Sequence, residues 1–430
     1  MHQLMLEKHK RILKMKKSIL ILVSIAAAGN LYAMNIDDAI QKALLNNNSL
    51  KKQQYMYEEA KENINYAKGS YKPVATLGYN YNSRSENLDG NGKDYSYGNA
   101  TITYNLFNGF TDKYNIEATK NSAEYSLFTL QSAKHDLILT TKQNYISYLK
   151  SLKNIDTQEN AYKLLEQQFR DSENRFEQGL LAKNDLLQVN AQMLQAKQNL
   201  QRAKADSRIS RFQLKNTLGG ILSADETIED LKKQETLENE YNIEELNSRN
   251  EIKALKKSID AILSQKKANS GDFMPSADLS LSYIKYGDDA FLEVDEDDTD
   301  EQTTATVSLS WNLYNGGRDS SEDIMFNKKI LQVKEDLANL KLSIKLQYEN
   351  ALEEFEVSKL NYETAKISLA QSQENYKIVN NRFKEGLSSS TDLINANFLL
   401  SQAKQSFDSA YYDRFLAKAS LDRIFEKENK

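Results

Sequence analysis

The hexapeptide Arg175-Phe176-Glu177-Gln178-Gly179-Leu180 recurs 207 residues later as Arg382-Phe383-Lys384-Glu385-Gly386-Leu387. At the same shift Asp185-Leu186 meets Asp392-Leu393, Gln195-Ala196-Lys197 meets Gln402-Ala403-Lys404, and Leu106-Phe107-Asn108-Gly109 meets Leu313-Tyr314-Asn315-Gly316. Pro73 pairs with Pro275 at a shift of 202. A long internal period constrains architecture before anything else, because each copy must build the same supersecondary unit. The chain therefore reads as two tandem units, residues 34–220 and 242–430, joined by a connector at 221–241.

Only two prolines occur in 430 residues, and each closes the helical segment that opens a unit, 36–69 or 242–270. Proline breaks helix interiors, so the rest of the chain is free to form long helices. Residues 110–178 contain neither Pro nor Gly. As one helix they would extend on the order of 100 Å at ~1.5 Å per residue. Tyr148, Ile155, Tyr162, Phe169 and Phe176 recur every seven residues, as do Phe355, Tyr362, Leu369, Tyr376 and Phe383. An apolar seven-residue period keeps one seam facing a partner helix and implies a coiled coil. A short turn at Gly179 or Gly386 then sends each chain back as a second helix.

Between the opening helix and the long helix, each unit carries two segments of alternating character. Ala75, Leu77, Tyr79 and Tyr81 oppose Thr76, Gly78, Asn80 and Asn82; Ala100, Ile102, Tyr104 and Leu106 oppose Asn99, Thr101, Thr103 and Asn105. In the second unit Ala277, Leu279, Leu281 and Tyr283 oppose Asp278, Ser280 and Ser282; Ala305, Val307, Leu309, Trp311 and Leu313 oppose Thr306, Ser308, Ser310 and Asn312. These predict strands over 74–82, 96–106, 276–286 and 304–313. About nine to eleven residues of period two is the length that crosses a bilayer as a tilted strand, apolar outward and polar inward. A half-buried soluble sheet gives the same alternation, so the targeting signal has to decide between them.

That signal stands at the start. Met15-Lys16-Lys17 precedes the apolar run Ser18 to Ala28 and a small-residue end at Ala33. The order of basic, apolar and small residues describes a secretory signal peptide over 1–33. Residues 1–14 then read as an upstream extension, with Met15 the better start. Residues 1–33 hold six of the 56 basic residues and one of the 61 acidic ones, leaving 50 against 60. Exported alternating strands point to the outer membrane. Four strands cannot span a bilayer alone, because unpaired edge groups find no water there. The chain must oligomerise: two copies give eight strands and a filled barrel, three give twelve.

Composition argues against an enzyme. There is no cysteine, which removes disulfides, thiolate metal sites and cysteine nucleophiles, and His135 is the one histidine beyond the signal. No metal site or cofactor is expected, and the acidic balance gives no nucleic-acid footprint. The acidic stretch Asp288 to Glu301 lacks calcium-loop spacing and reads as a solvated loop between strands, rather than a cation site or charged rim. Asn108-Gly109 and Asn315-Gly316-Gly317 mark strand-to-helix junctions, with Asn as the expected N-cap.

Taken in order and twice over, Tyr71-Lys72-Pro73, the Asn-Gly junctions and the Arg-Phe-x-x-Gly-Leu…Asp-Leu turns resemble the TolC-type outer-membrane efflux family across the mature length. The resemblance implies a mixed α/β membrane protein. Its homotrimer would share a 12-stranded β-barrel, four strands per protomer, continued by a periplasmic coiled-coil tunnel. It implies docking to a periplasmic adaptor and an inner-membrane pump. By the same resemblance Asp392 forms a constricting ring at the tunnel tip, Asp185 helps hold the closed tip, and Gly179, Leu180, Leu181, Gly386, Leu387 and Ser388 form the adaptor-contact region. The pattern departs where the family's second ring aspartate is Asn395 and where a tip-tying Tyr and Arg are Phe383 and Ser388. Without the family, three Asp392 carboxylates on a narrow axis would repel, raise a pKa and attract cations; a helix cap is the alternative role. The function expected is passive export of small toxic compounds. A channel for one-step protein secretion and a periplasmic coiled-coil adaptor are the alternatives; an adaptor would carry one helical hairpin, not two.

Overall fold

The structure, a computed structural model, describes residues 33–83, 94–231, 241–287, 290–292 and 301–427. Residues 1–32 of the expected signal peptide, residues 288–289 and 293–300 of the acidic loop and residues 232–240 of the connector lie outside the described residues. The first unit contains α1 (Ile36–Asn46), α2 (Asn48–Ala67), β1 (Val74–Ser83), β2 (Asp94–Asn108), α3 (Thr111–Glu177) and α4 (Lys183–Thr217). The second contains α5 (Asn250–Asn269), β3 (Ser276–Gly287), β4 (Glu301–Ser310), α6 (Arg318–Lys384) and α7 (Ser390–Ile424).

The units match in the lengths of their main helices. Helices α3 and α6 each have 67 residues, α4 and α7 each 35, and α2 and α5 each 20. The shift is 207 for the long hairpins and 202 for α2 and α5, so the length difference lies within the strands and their loops. No described helix is long and apolar enough to cross a membrane.

The opening segment expected as one helix over 36–69 is two. Asn47 sits extended (φ −63, ψ 124) and its side chain accepts from the Ser49 and Leu50 N–H groups at 2.9 and 3.1 Å. That cap ends α1 and starts α2. The Asn-Gly junctions also differ from expectation. The N-caps of α3 and α6 are Phe110 and Gly317, both left-handed (φ 68 and 78). Two consecutive left-handed residues turn the chain before the helix begins, which leaves each Asn two residues too early to cap. Asn108 Oδ1 instead accepts from Asp112 N–H at 3.4 Å, and Asn315 Nδ2 donates to Asp319 at 3.1 Å. Finally, β4 stops at Ser310 rather than 313. Its partner β3 begins at Ser276, opposite Ser310, so Trp311 has no strand to pair with and its indole donates to Phe273 O at 3.1 Å.

Two apolar clusters hold the hairpins where they meet the shorter helices. Tyr145, Ile146, Leu214, Leu218 and Tyr412 centre the first; Ile252, Ile344, Leu421 and Phe425 centre the second. Leu214 and Leu421, and Leu218 and Phe425, are equivalent at the 207 shift. The connector is fastened to the first cluster. Met34 and Ile228 form a parallel bridge, and the Asp230 carboxylate accepts from Tyr412 O–H at 2.6 Å and faces Lys153 at 2.8 Å.

Candidate functional site

The four strands form one antiparallel sheet in the order β1-β2-β3-β4. Register keeps each chemical face intact across it. Ala75, Ile102, Leu281 and Ala305 lie in one row, and Thr76, Thr101, Ser282 and Thr304 in the next row on the opposite face. A bulge between Asn105 and Phe107 brings Phe107 opposite Ala277. The polar face is tied across strands, with Thr101 Oγ1 3.1 Å from Ser282 Oγ. The apolar face is bare: Leu77 is 89% and Leu309 75% exposed. Among the described residues no layer covers it, so water would meet a continuous apolar surface, which soluble proteins avoid and lipid accepts. Strands β1 and β4 each have a neighbour on one side only. An open edge in lipid leaves N–H and C=O groups unmet.

At the far end of the hairpins the repeated hexapeptide is a helix stop. Gly179 and Gly386 are left-handed (φ 71 and 75). Leu180 N–H donates to Arg175 O and Leu387 N–H to Arg382 O, both at 2.8 Å; Gly179 and Gly386 N–H donate to Phe176 O and Phe383 O. This is the Schellman pattern, in which glycine alone among the six is needed for its backbone angle. Leu180 and Leu387 point outward, 72% and 65% exposed, and Leu181 and Ser388 are half-buried.

The returning helices start differently. Ser389 caps α7 in a capping box: its hydroxyl accepts from Asp392 N–H at 3.1 Å, while the Asp392 carboxylate accepts from Ser389 N–H at 3.0 Å. The Ser389 and Ser388 hydroxyls donate to the same carboxylate at 2.7 and 3.1 Å. These bonds, Ser389's first, hold Asp392 below the usual carboxylate range. Within one protomer Asp392 is thus a helix-starting residue, exposed beside exposed Asn395. Ala182 stands where Ser389 would be and caps nothing; Asp185 receives a bond from Asn184 at 2.8 Å.

Sequence reasoning missed a charged knot where α7 ends against α5. Arg423, 9% exposed, donates to Asp136 at 2.7 Å, Glu251 at 2.6 Å and Ser132 at 3.1 Å. Arg249 holds Glu251 at 2.8 and 3.1 Å, and both Glu426 oxygens accept from Asn250 N–H, capping α5 from the turn just beyond α7. Burial pushes Glu251 up, but the two guanidiniums outweigh it and hold the carboxyl well below its ordinary value; burial raises Glu426. The signal available in sequence was the repeat itself: the equivalent first-unit positions are Asn47, Ser49, Asn216 and Gly219, none charged.

A bare-faced, open-edged sheet carried on two long helical hairpins defines the protomer of an outer-membrane channel. The outer membrane efflux protein family matches residues 39–220 and 243–425, and the chain belongs to that family. It is an efflux channel of the outer membrane and not an enzyme. No curated relative matches the sequence. Among solved structures it is similar to the CmeC outer membrane channel of Campylobacter jejuni (TM-score 0.79, 16% identity, covering 91% of this chain and 85% of that one). The open MtrE channel of Neisseria gonorrhoeae gives 0.73 at 19%, covering 91% and 88%, and VceC of Vibrio cholerae 0.75 at 14%, covering 91% and 95%.

Proposed function

We propose that three copies close a 12-stranded barrel and a helical tunnel, forming a passive conduit through which small toxic compounds leave the periplasm. The observation that carries this is the sheet: one apolar face uncovered, one hydroxylated face, and both edges open. Leader removal at 1–33 precedes assembly. Energy comes from an inner-membrane pump reached through a periplasmic adaptor. The adaptor meets the tip turns, where Gly179, Leu180, Leu181, Gly386, Leu387 and Ser388 offer two exposed leucines on rigid turns. Asp392, with Asp185 and Asn395 nearby in the repeat scheme, sets the charge of the closed tip.

Deleting the gene and challenging cells with antibiotics, bile salts and secreted-protein assays tests the cargo. Sensitivity to small compounds with intact protein secretion is the expected result; the reverse would move the channel to protein export. For the tip, Asp392→Asn in planar bilayers is expected to weaken block by polyvalent cations. Asn keeps a side-chain acceptor for Ser389 N–H, so the turn persists, and unchanged block would remove Asp392 from the gate.

A further inference from the structure

The charged knot lines a cleft of about 750 Å³ bordered by α3, α6 and α7. That is room for a small organic molecule. Buried Ile344 and Ala417, with half-buried Leu340 and Leu416, give it an apolar floor. Four carboxylates line it, Asp136, Glu251, Glu354 and Asp413, against the two guanidiniums of Arg249 and Arg423. Both guanidiniums are already engaged, Arg423 by Asp136 and Glu251 and Arg249 by Glu251. Asp413 is held by Lys150 at 2.8 Å and by the Ser409 hydroxyl at 3.0 Å. Glu354 is exposed and has no hydrogen bond or ion pair among the described residues. The rim thus carries a negative surplus over an apolar floor.

Three pairs of residues, two positions apart, fix the side of the helical wall on which the cleft lies. Two residues turn an α-helix by about 200°. On α7, Tyr411 donates to Leu231 O of the connector at 3.3 Å, while Asp413 lines the cleft. Asp422 accepts from Tyr241 O–H at 2.9 Å, while Ser420 lines the cleft. On α3, Tyr145 donates to Glu229 O at 2.5 Å, while Gln143 lines the cleft. Connector and cleft therefore occupy opposite faces of one wall.

In a ring of three copies, two hairpins from each set twelve helices side by side. At spacings of about 8–10 Å their axes enclose a circle roughly 35 Å across, and helices about 10 Å thick leave a bore of roughly 25 Å. A second layer of α1 and connector inside would fill most of that bore. The layer belongs outside, and the cleft opens inward.

We propose that this cleft is a transit site for small amphipathic organic cations, which rest their apolar part on Leu340, Ile344 and Leu416 and their charge against Glu354, Asp413 and Asp136. The inference rests on the efflux reading above and names the cargo class that the bore favours. Negative charge over low-dielectric walls gathers cations. A conduit needs sites favourable enough to enter and weak enough to leave, which a half-open cleft with one uncompensated carboxylate provides. An anion of the same shape meets the surplus and is turned away.

Tetraphenylphosphonium and tetraphenylborate have nearly one shape and opposite charge. Asn350, exposed on the cleft lining, is replaced as Asn350→Cys in a chain that has no other cysteine. In the detergent-solubilised channel, tetraphenylphosphonium is expected to slow maleimide labelling of that cysteine, and tetraphenylborate is not. Adding Glu354→Gln should raise the concentration needed about two- to fivefold, the worth of one exposed charge contact. Leu180→Cys at the tip turn should label at one rate throughout; equal slowing there would show partition into the micelle and remove the site. In planar bilayers, a cationic and an anionic methanethiosulfonate on Asn350→Cys should shift conductance in opposite directions. Shifts without protection would discard the cation site and leave the channel standing. Protection without shifts would place the cleft outside the bore and end its transit role. A protein that is monomeric in native gels and carries no current would bring down the ring and the site together.

Discussion

The two units share a backbone and differ in how they secure it. In the first, α2 starts on a local cap from Asn47, whose amide also reaches Thr217 O at 3.0 Å at the end of α4. In the second, α5 starts on Glu426, sent from the turn beyond α7 and held among Arg423, Arg249 and Glu251. At the tips the contrast repeats: Ser389 boxes α7, while Ala182 leaves α4 uncapped. Helix length and turn position are therefore independent of the chemistry that satisfies a helix end. Any acceptor that reaches the first N–H groups suffices, and duplication left each unit to find its own.

The largest test of this difference is Arg423→Ala. It leaves half-buried Glu251 with Arg249 as its remaining guanidinium, and the loss of the charged hydrogen bond costs about 1.5–3 kcal/mol. Asn216→Ala, its first-unit equivalent on an exposed surface, should stay within about 0.5 kcal/mol. Urea denaturation of the two variants side by side measures the gap; equal losses would mean the units are secured alike. Next, Asn47→Ala should cost about 1 kcal/mol by removing the α2 cap, read as faster hydrogen exchange confined to the start of α2.

Smaller again is the exchange between tips. Ser389→Ala should loosen the start of α7, and Ala182→Ser should tighten the start of α4 by building the missing box with Asp185, each by about 1 kcal/mol or less. Hydrogen exchange at the two helix starts should then reverse its order between units. The finest test uses pH. Asp392 has its pKa lowered in the folded tip, so its contribution is present above its ordinary value of 3.8 and is lost as pH falls through the depressed value. Protection at the start of α7, corrected for intrinsic exchange, should therefore fall on acidification below about pH 4. Ser389→Ala should flatten that dependence; an unchanged profile would show that the box is not what Asp392 stabilises.

Much of the fold was legible because it is local. The 67-residue helices follow from a stretch without Pro or Gly bearing a seven-residue seam. The strands follow from alternation, and their shared face survives in the observed register. Boundaries failed where a neighbour decides them: β4 ends where β3 has no residue to offer, and α1 ends where Asn47 turns its side chain to the next helix. For the site, the hexapeptide was visible but its parts were not separable. Glycine's role comes from backbone angles, whereas the Arg175–Phe383 contact joins residues 208 positions apart on different hairpins. Asp392 was visible too, yet its engagement by Ser388 and Ser389 depends on a turn geometry that spacing does not disclose.

Sequence alone determined the duplication, the long uninterrupted helices, the two-faced strands and the need for further copies. Each of these depends on periodicity, on glycine and proline, or on the cost of open edges in lipid, all of which are carried by neighbours in the chain. Tertiary structure decided which helix end was capped by its own residue and which by a distant carboxylate, and that Arg175 of the duplicated motif reaches across to Phe383. Those outcomes turn on a few ångströms between segments far apart in sequence, where hydrogen bonds and ion pairs form or fail by distance and no periodic pattern records the distance.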